Sequence, residues 1–229
     1  MSVDYSSAEA FARLASELQT VDGIEETVEA VVQFALQALS CKFASVVLIA
    51  QGRRPEVVAS TDPVLAELYQ EQIDAGAGPL LTAIVENAVV QLPDVSAETR
   101  WSPELISRLT ALGIHSAVHL PLMVSGRSQA VLNLYGETFS PDDLAVAHIL
   151  ARHASIAIAS ARHQETMLRA VDARKLVGQA MGILMERYDL DGDRAFEVLR
   201  RYSQDYNRKL RDVAQELIDT RKLPGRDQT

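Results

Sequence analysis

The sequence predicts an α+β domain, an antiparallel sheet flanked by helices, followed by a smaller all-α domain of three helices. Three observations predict it. Ser116–Val124 and Gln129–Gly136 are strongly β-forming segments on either side of the short turn Ser125–Gly126–Arg127, which reads as a hairpin. From Asp142 to Val177 the chain has neither Gly nor Pro over 36 residues, on the order of 54 Å of unbroken helix at about 1.5 Å per residue. Behind that run, three segments repeat apolar residues at helical spacing, and nowhere do strands and helices alternate as a parallel sheet requires.

In chain order, Ala8–Thr20 and Ile24–Leu39 read as two helices. In the second, Ile24, Val28, Val31, Val32, Ala35, Leu36 and Leu39 share one side, with Glu25, Glu26 and Glu29 opposite. Phe43–Ala50 is rich in β-branched residues and reads as a buried strand. Gln51–Pro55 holds a turn, and Glu56–Ser60 pairs back. Thr61–Asp62–Pro63 opens a helix to about Asp74. Gly76, Gly78 and Pro79 end it before a short helix, Leu80–Asn87. Val89–Leu92 is a short strand, Pro93–Pro103 a loop with the only tryptophan, Trp101, and Glu104–Leu112 a further helix. Ser140 caps the long helical run, with Pro141 at its first position. Ala170–Arg187 closes that run, and Tyr188–Asp193 is a polar turn. Arg194–Gln204 buries Ala195, Phe196, Leu199 and Tyr202. Arg208–Thr220 buries Leu210, Val213, Ala214, Leu217 and Ile218. The boundaries expected are 1–162 for the first domain, 163–223 for the second and 224–229 for a disordered tail.

Charge is unevenly divided. The chain of 229 residues carries 22 Lys/Arg and 31 Asp/Glu; from Thr166 onward the counts are 13 and 11, leaving 9 and 20 before it. The acidic excess therefore lies in the first part, which would repel a polyanion, and a nucleic acid is tolerated only near the C-terminus. One cysteine, Cys41, excludes an intrachain disulfide and any cysteine-based metal cluster. With no basic segment leading an apolar one at the N-terminus, and no apolar run of roughly 18–20 residues, the expected location is cytoplasmic.

Catalytic patterns are absent. His115 and His119 bracket one strand at i, i+4, and His148 and His153 sit on the long helix. Neither pair carries the acidic partner of a zinc-protease helix, so structural roles are expected of them. Asp189, Asp191 and Asp193 alternate like a calcium loop, but Arg194 and Arg200 occupy the positions where such a loop needs Gly and a carboxylate. These acids instead cap the next helix. No metal site and no cofactor is identified.

The C-terminal turn is different. Arg200, Arg201, Asn207, Arg208, Lys209 and Arg211 fall within twelve residues, together with Tyr202, Ser203 and Tyr206. Cations bind phosphates, and tyrosine rings and an amide suit unpaired bases. The same residues also fit a solvated helix face whose arginines pair with Glu197, Asp205 and Asp212.

Residues Arg174–Met185 resemble the opening of an ANTAR domain. Ala195–Phe196, Leu199–Arg200, Ser203, Asn207, Leu210 and Val213–Ala214 follow in the family's order and spacing, so that the likeness covers about Met167–Leu223. Met181 stands where family members often carry Lys. The resemblance implies a three-helix module that binds nascent RNA with two stem-loops of six-base loops and thereby prevents a terminator hairpin. Its implied RNA-binding residues here are Arg200, Arg201, Tyr202, Asn207, Arg208, Lys209 and Arg211, with Tyr206 as a further stacking residue. Gly178 and Gly182, at i, i+4, are expected to allow close helix packing, since each costs helix stability, roughly 1 kcal/mol against Ala.

About Ser7–Arg162 resembles a GAF domain, on the paired N-terminal helices, the strand Lys42–Ala50, Ser116–Leu122, Ala130–Tyr135 and the helix from Ser140. This implies a sensor of small molecules whose ligand the sequence does not name. It has no cyclic-nucleotide signature, and Cys41 is poorly placed for a bilin. Apolar positions such as Ile149, Ile156, Met167 and Val171 predict a homodimer through the long helix 142–187. The functional expectation is a signal-responsive RNA-binding antitermination regulator rather than an enzyme. The alternatives are a DNA-binding regulator that uses Arg208–Thr220 as a recognition helix and, further off, a GAF-domain enzyme.

Overall fold

A computed structural model describes residues 18, 21, 23–39, 41–50, 55–125 and 128–223. All but Leu18 of the helix expected over Ala8–Thr20, most of the turn at Gln51–Pro55, the hairpin tip Gly126–Arg127 and the tail Pro224–Thr229 fall outside the described residues. The elements are α1 (Ile24–Ala38), β1 (Cys41–Ala50), β2 (Glu56–Ser60), α2 (Pro63–Ala75), α3 (Pro79–Glu86), β3 (Val90–Leu92), α4 (Pro103–Ala111), β4 (Ser116–Ser125), β5 (Ser128–Gly136), α5 (Pro141–Tyr188), α6 (Gly192–Asp205) and α7 (Leu210–Thr220). They fall into two compact units, Met1–His163 and Gln164–Thr229.

In the first unit the strands form one antiparallel sheet in the order β2-β1-β5-β4-β3. Side chains alternate across it with period two. Even-numbered positions Ala44, Val46, Leu48, Val118, Leu120, Leu122, Ala130, Leu132 and Leu134 pack against Val28, Val31, Val32 and Ala35 of α1 and Leu150, Ala154 and Ile158 of α5. Odd-numbered positions Val47, Ala117, Val131 and Tyr135 pack against Leu65, Leu68 and Tyr69 of α2, Leu80 and Ala83 of α3, and Leu105 and Leu109 of α4. The result is an α/β/α sandwich with the sheet buried on both faces.

Local chemistry sets the helix ends. Asp62 accepts from the Val64 amide at 2.9 Å with Pro63 at the first position of α2. Ser140 and Asp143 form a reciprocal box at the start of α5: the Ser140 amide and hydroxyl donate to the Asp143 carboxylate at 2.9 and 2.7 Å, and the Asp143 amide donates to Ser140 Oγ at 3.1 Å. Gly78, at φ 146°, lies between α2 and α3, where an added Cβ would stand 2.3 Å from Gln72 Oε1. That oxygen accepts from the Leu80 amide at 3.0 Å, so the glycine lets Gln72 tie the two helices together.

The second unit is a three-helix module. Ala180 and Leu184 of α5, Ala195 and Leu199 of α6, and Val213, Ala214 and Leu217 of α7 form its core. Asp191, as expected of these acids, caps α6 by accepting from the Arg194 amide at 2.8 Å.

Four expectations are corrected. Phe196 is 37% exposed and outside the core stripe, because Ala195 and Leu199 already fill the inward side of α6. His115 and His119 do not bracket one strand: the strand begins only at Ser116, leaving His115 exposed before it while His119 is fully buried within it. Gly178 and Gly182 permit no close packing within the chain, since an added Cβ at either meets nothing within 4 Å among the described residues. Finally, α5 does hold an 18-residue window of mean hydropathy 1.4, long and apolar enough to cross a membrane by length and composition. Ala147, Leu150, Ala154 and Ile158 of that helix are built into the protein core instead.

Candidate nucleic-acid interface

The C-terminal turn is shaped by the end of α6. The Tyr206 amide donates to the Tyr202 carbonyl at 3.1 Å, Asn207 to Gln204 at 3.2 Å and Arg208 to Ser203 at 2.9 Å. Asn207 adopts the left-handed conformation at φ 50°, one that Asn tolerates better than most residues. The Ser203 hydroxyl donates to the Arg208 carbonyl at 2.6 Å. Two of the polar residues quoted from the sequence, Ser203 and Asn207, thus make the turn itself. The Asn207 side chain remains exposed beside it.

Around this turn the structure brings together every predicted cation. Arg200 pairs with Glu197 at 2.7 Å, Arg201 with Asp205 at 3.6 Å and Arg211 with Asp212 at 3.0 Å. Arg208 pairs with Glu216, a residue of α7 eight positions along the chain that the sequence reading did not name. Lys209, the N-cap residue of α7, is exposed and makes no ion pair with a described residue. The four arginine side chains are 53, 82, 40 and 54% exposed for Arg200, Arg201, Arg208 and Arg211. Pairs this solvated contribute at most about 1 kcal/mol each, so a phosphate can replace the carboxylate at little cost.

Tyr202 is half-buried against the module's core, and its ring stacks on Tyr206 with centroids 5.8 Å apart and planes 11° from parallel. Val198, Arg201, Tyr202, Asp205 and Tyr206 line an open groove of about 600 Å³. Tyrosines at i, i+4 on a helix can meet in this way. The sequence reading missed the part Asp205 plays as a wall of that groove, having counted it only as an ion-pair partner.

The first unit carries a second polar feature. Ser45, Asn133 and His119 are direct cross-strand neighbours on β1, β5 and β4, all fully buried on the face covered by α2, α3 and α4. His119 Nδ1 and Asn133 Oδ1 are 2.8 Å apart, and Asn133 Nδ2 donates to Ser45 Oγ at 3.2 Å. Ser45 Oγ in turn hydrogen-bonds the Tyr69 hydroxyl. The Tyr135 ring meets His119 edge-on at 5.6 Å. Burial pushes His119 down to about 4, against the smaller opposing effect of the Asn133 hydrogen bond, and pushes both tyrosines well up. His119 Nε2 has no hydrogen-bond partner among the described residues. Tyr69, Leu80, Leu92 and Val95 are fully buried together in the apolar core on this face. Cys41, at the start of β1, is partly buried with its thiol donating to the Ala35 carbonyl at 3.3 Å, and desolvation raises it to about 11. Such a thiol is a poor nucleophile.

Comparisons with known proteins agree with this division. A GAF-domain model matches residues 22–159 and an ANTAR-domain model matches residues 165–218. Among solved structures, the GAF domain of a phosphoenolpyruvate-protein phosphotransferase from Coxiella burnetii is similar at TM-score 0.55 and 18% identity, over 72% of this chain and 99% of that one. A GAF domain from the Acinetobacter phosphoenolpyruvate-protein phosphotransferase is similar at TM-score 0.53 and 17% identity, over 71% and 97%. The photosensory core module of a Stigmatella aurantiaca phytochrome is similar at TM-score 0.57 and 15% identity, over 89% of this chain and 45% of that one. These likenesses show the fold alone. No curated protein matches the chain. With its sandwich matched by the one model and its terminal helices by the other, the chain belongs to the GAF-domain family and carries an ANTAR domain behind the GAF domain.

Proposed function

We propose that this protein is a signal-responsive, non-enzymatic regulator acting in the cytoplasm, in which the GAF domain controls an ANTAR domain that binds dual stem-loop RNA and promotes antitermination. The observation that supports it most is the collection of Arg200, Arg201, Arg208, Lys209 and Arg211 around one turn beside a stacked tyrosine pair. Each arginine is paired with a carboxylate that is exposed (Glu197, Asp205) or half-buried (Asp212, Glu216), and a phosphate can displace it. Arg200, Arg201, Tyr202, Asn207, Arg208, Lys209 and Arg211 are the proposed contact residues. Cations would hold the backbone, and the tyrosine rings and the Asn207 amide would meet unpaired bases.

A homodimer through α5 fits the same reading. Ile149, Ile156, Met167, Leu168 and Val171 on that helix are 45, 71, 56, 58 and 58% exposed. Val89, Met123, His148, Arg152 and Ile156 also line a groove of about 360 Å³ beside it. Two RNA loops need two binding surfaces, and linking the sites raises the effective concentration of the second. A signal received by the GAF domain would then act through α5 on the pairing of the two copies.

The test is gel mobility of the full chain with a dual stem-loop RNA, its loop-mutated counterpart and duplex DNA as competitor. Retardation of the first alone supports the proposal. Equal retardation of intact and mutated loops overturns it, and preference for the duplex favours a DNA-binding regulator.

A further inference from the structure

We propose that the groove lined by Val198, Arg201, Tyr202, Asp205 and Tyr206 takes one unpaired guanine, stacked on the tyrosine pair and read along its Watson–Crick edge by the Asp205 carboxylate. The proposal rests on the RNA-binding reading above and adds the base and the residue that selects it.

Asp205 is the central observation. It is the last residue of α6, where a negative charge opposes the helix dipole, and it stands among cations that would otherwise all serve a polyanion. Its pairing with Arg201 does not use up its acceptors. The closest approach is 3.6 Å, from Arg201 Nε to Asp205 Oδ2, which is longer than a hydrogen bond, and the Asp205 side chain is 61% exposed. An ionised carboxylate only accepts, through two oxygens side by side. Among the standard bases, guanine alone offers two adjacent donors on one edge, N1–H and the N2 amino group. Adenine and cytosine present a single amino donor there, and uracil a single imino donor. A carboxylate placed in a base groove therefore selects guanine.

The rings supply the platform. Tyr202 and Tyr206 are already parallel before any base arrives, so a base would join an existing stack and no side chain need be ordered for it. Stacking of this kind is sequence-tolerant and contributes roughly five- to hundredfold in affinity per base. Arg201, 82% exposed, is placed to leave Asp205 for the phosphate of the same nucleotide. The division of labour is then plain: tyrosines hold, Arg201 neutralises and Asp205 chooses.

The experiment measures fluorescence anisotropy of the full-length protein with a hairpin transcript in which each loop guanine is replaced in turn by inosine, which lacks the N2 amino group. Wild type, D205N and Y206A are compared, with circular dichroism confirming the fold. At one loop position, wild type should prefer guanine over inosine by about tenfold, within the range expected of a paired hydrogen-bond contact. D205N should bind both within about twofold. Y206A should lose roughly fivefold or more on every loop. If D205N tightens binding to all loops equally while the guanine preference persists, Asp205 only screens Arg201 and the proposal is wrong. It is equally wrong if no position distinguishes inosine although loop-dependent binding is intact, in which case the RNA-binding reading survives it. Should wild type bind no hairpin at all, both fall together.

Discussion

Gly178 and Gly182 offer a sharp test of the second unit. Both lie within α5, one turn apart and exposed, and a Cβ built at either has no neighbour within 4 Å among the described residues. Only backbone freedom is then at stake, and Gly disfavours a helix interior by about 0.8–1.0 kcal/mol relative to Ala. Gly178→Ala and Gly182→Ala should each stabilise the module by about 1 kcal/mol, and the double variant by about 2 kcal/mol. For a unit of this size, about 1 kcal/mol corresponds to roughly 4–8 °C in melting temperature. Urea and thermal unfolding followed by circular dichroism would read the gain. Hydrogen exchange would localise it to amides near residues 176–186, separating it from any change in the GAF domain. A loss of stability, at low and high protein concentration alike, would refute the reasoning, because something within the chain would then have to occupy the space above these glycines. A loss confined to high concentration would instead locate the obstruction on a second copy.

His119 predicts an acid-sensitive first unit. Its folded value of about 4 lies below the ordinary 6.5, so the unfolded chain binds the extra proton first and stability falls as pH drops from about 6.5 towards 4, by up to roughly 3 kcal/mol. Denaturation midpoints of wild type and His119→Gln across that range should converge at low pH, and parallel curves would exclude the histidine. Asn133→Ala should cost about 2–4 kcal/mol, since it strips buried partners from both His119 and Ser45; unchanged urea unfolding would show that the polar row does not matter to stability. Asp191→Ala removes the α6 cap and should cost about 1 kcal/mol in the second unit only, as hydrogen exchange resolved by unit would reveal. Cys41 should react with a thiol reagent at pH 8 far more slowly than free cysteine, and rapid labelling of the native protein would contradict its raised pKa.

Periodicity made much of this architecture legible. The strongly β-forming residues of Ser116–Val124 and Gln129–Gly136 marked β4 and β5, and the i, i+1, i+4 stripe of Val213, Ala214 and Leu217 marked α7, because burial selects residue type directly at such positions. Ser140 and Asp62 announced helix starts because capping is local chemistry. What was not legible depends on partners distant in sequence. Ser45 and Asn133 lie 88 residues apart, and only strand register reveals that they and His119 touch. Phe196 looked like core because its spacing permits burial, yet smaller neighbours already filled the interior. Gly178 and Gly182 suggested close packing that the chain's own elements do not supply. At the C-terminal turn the sequence named the cations, but Glu216 as the partner of Arg208, and Asp205 as a groove wall, required the third dimension.

The buried Ser45–Asn133–His119 row also bears on how the sheet finds its alignment. Because adjacent side chains alternate faces, sliding β5 by one residue would swing Asn133 into the aliphatic layer formed with α1 and α5, and would turn Leu132 and Leu134 towards the tyrosines. A stranded amide there has nothing to bond to, whereas a hydrocarbon seam would tolerate the slip far better. The three polar residues therefore work as a notch-and-tooth gauge for β1, β5 and β4, admitting one pairing and penalising its neighbours.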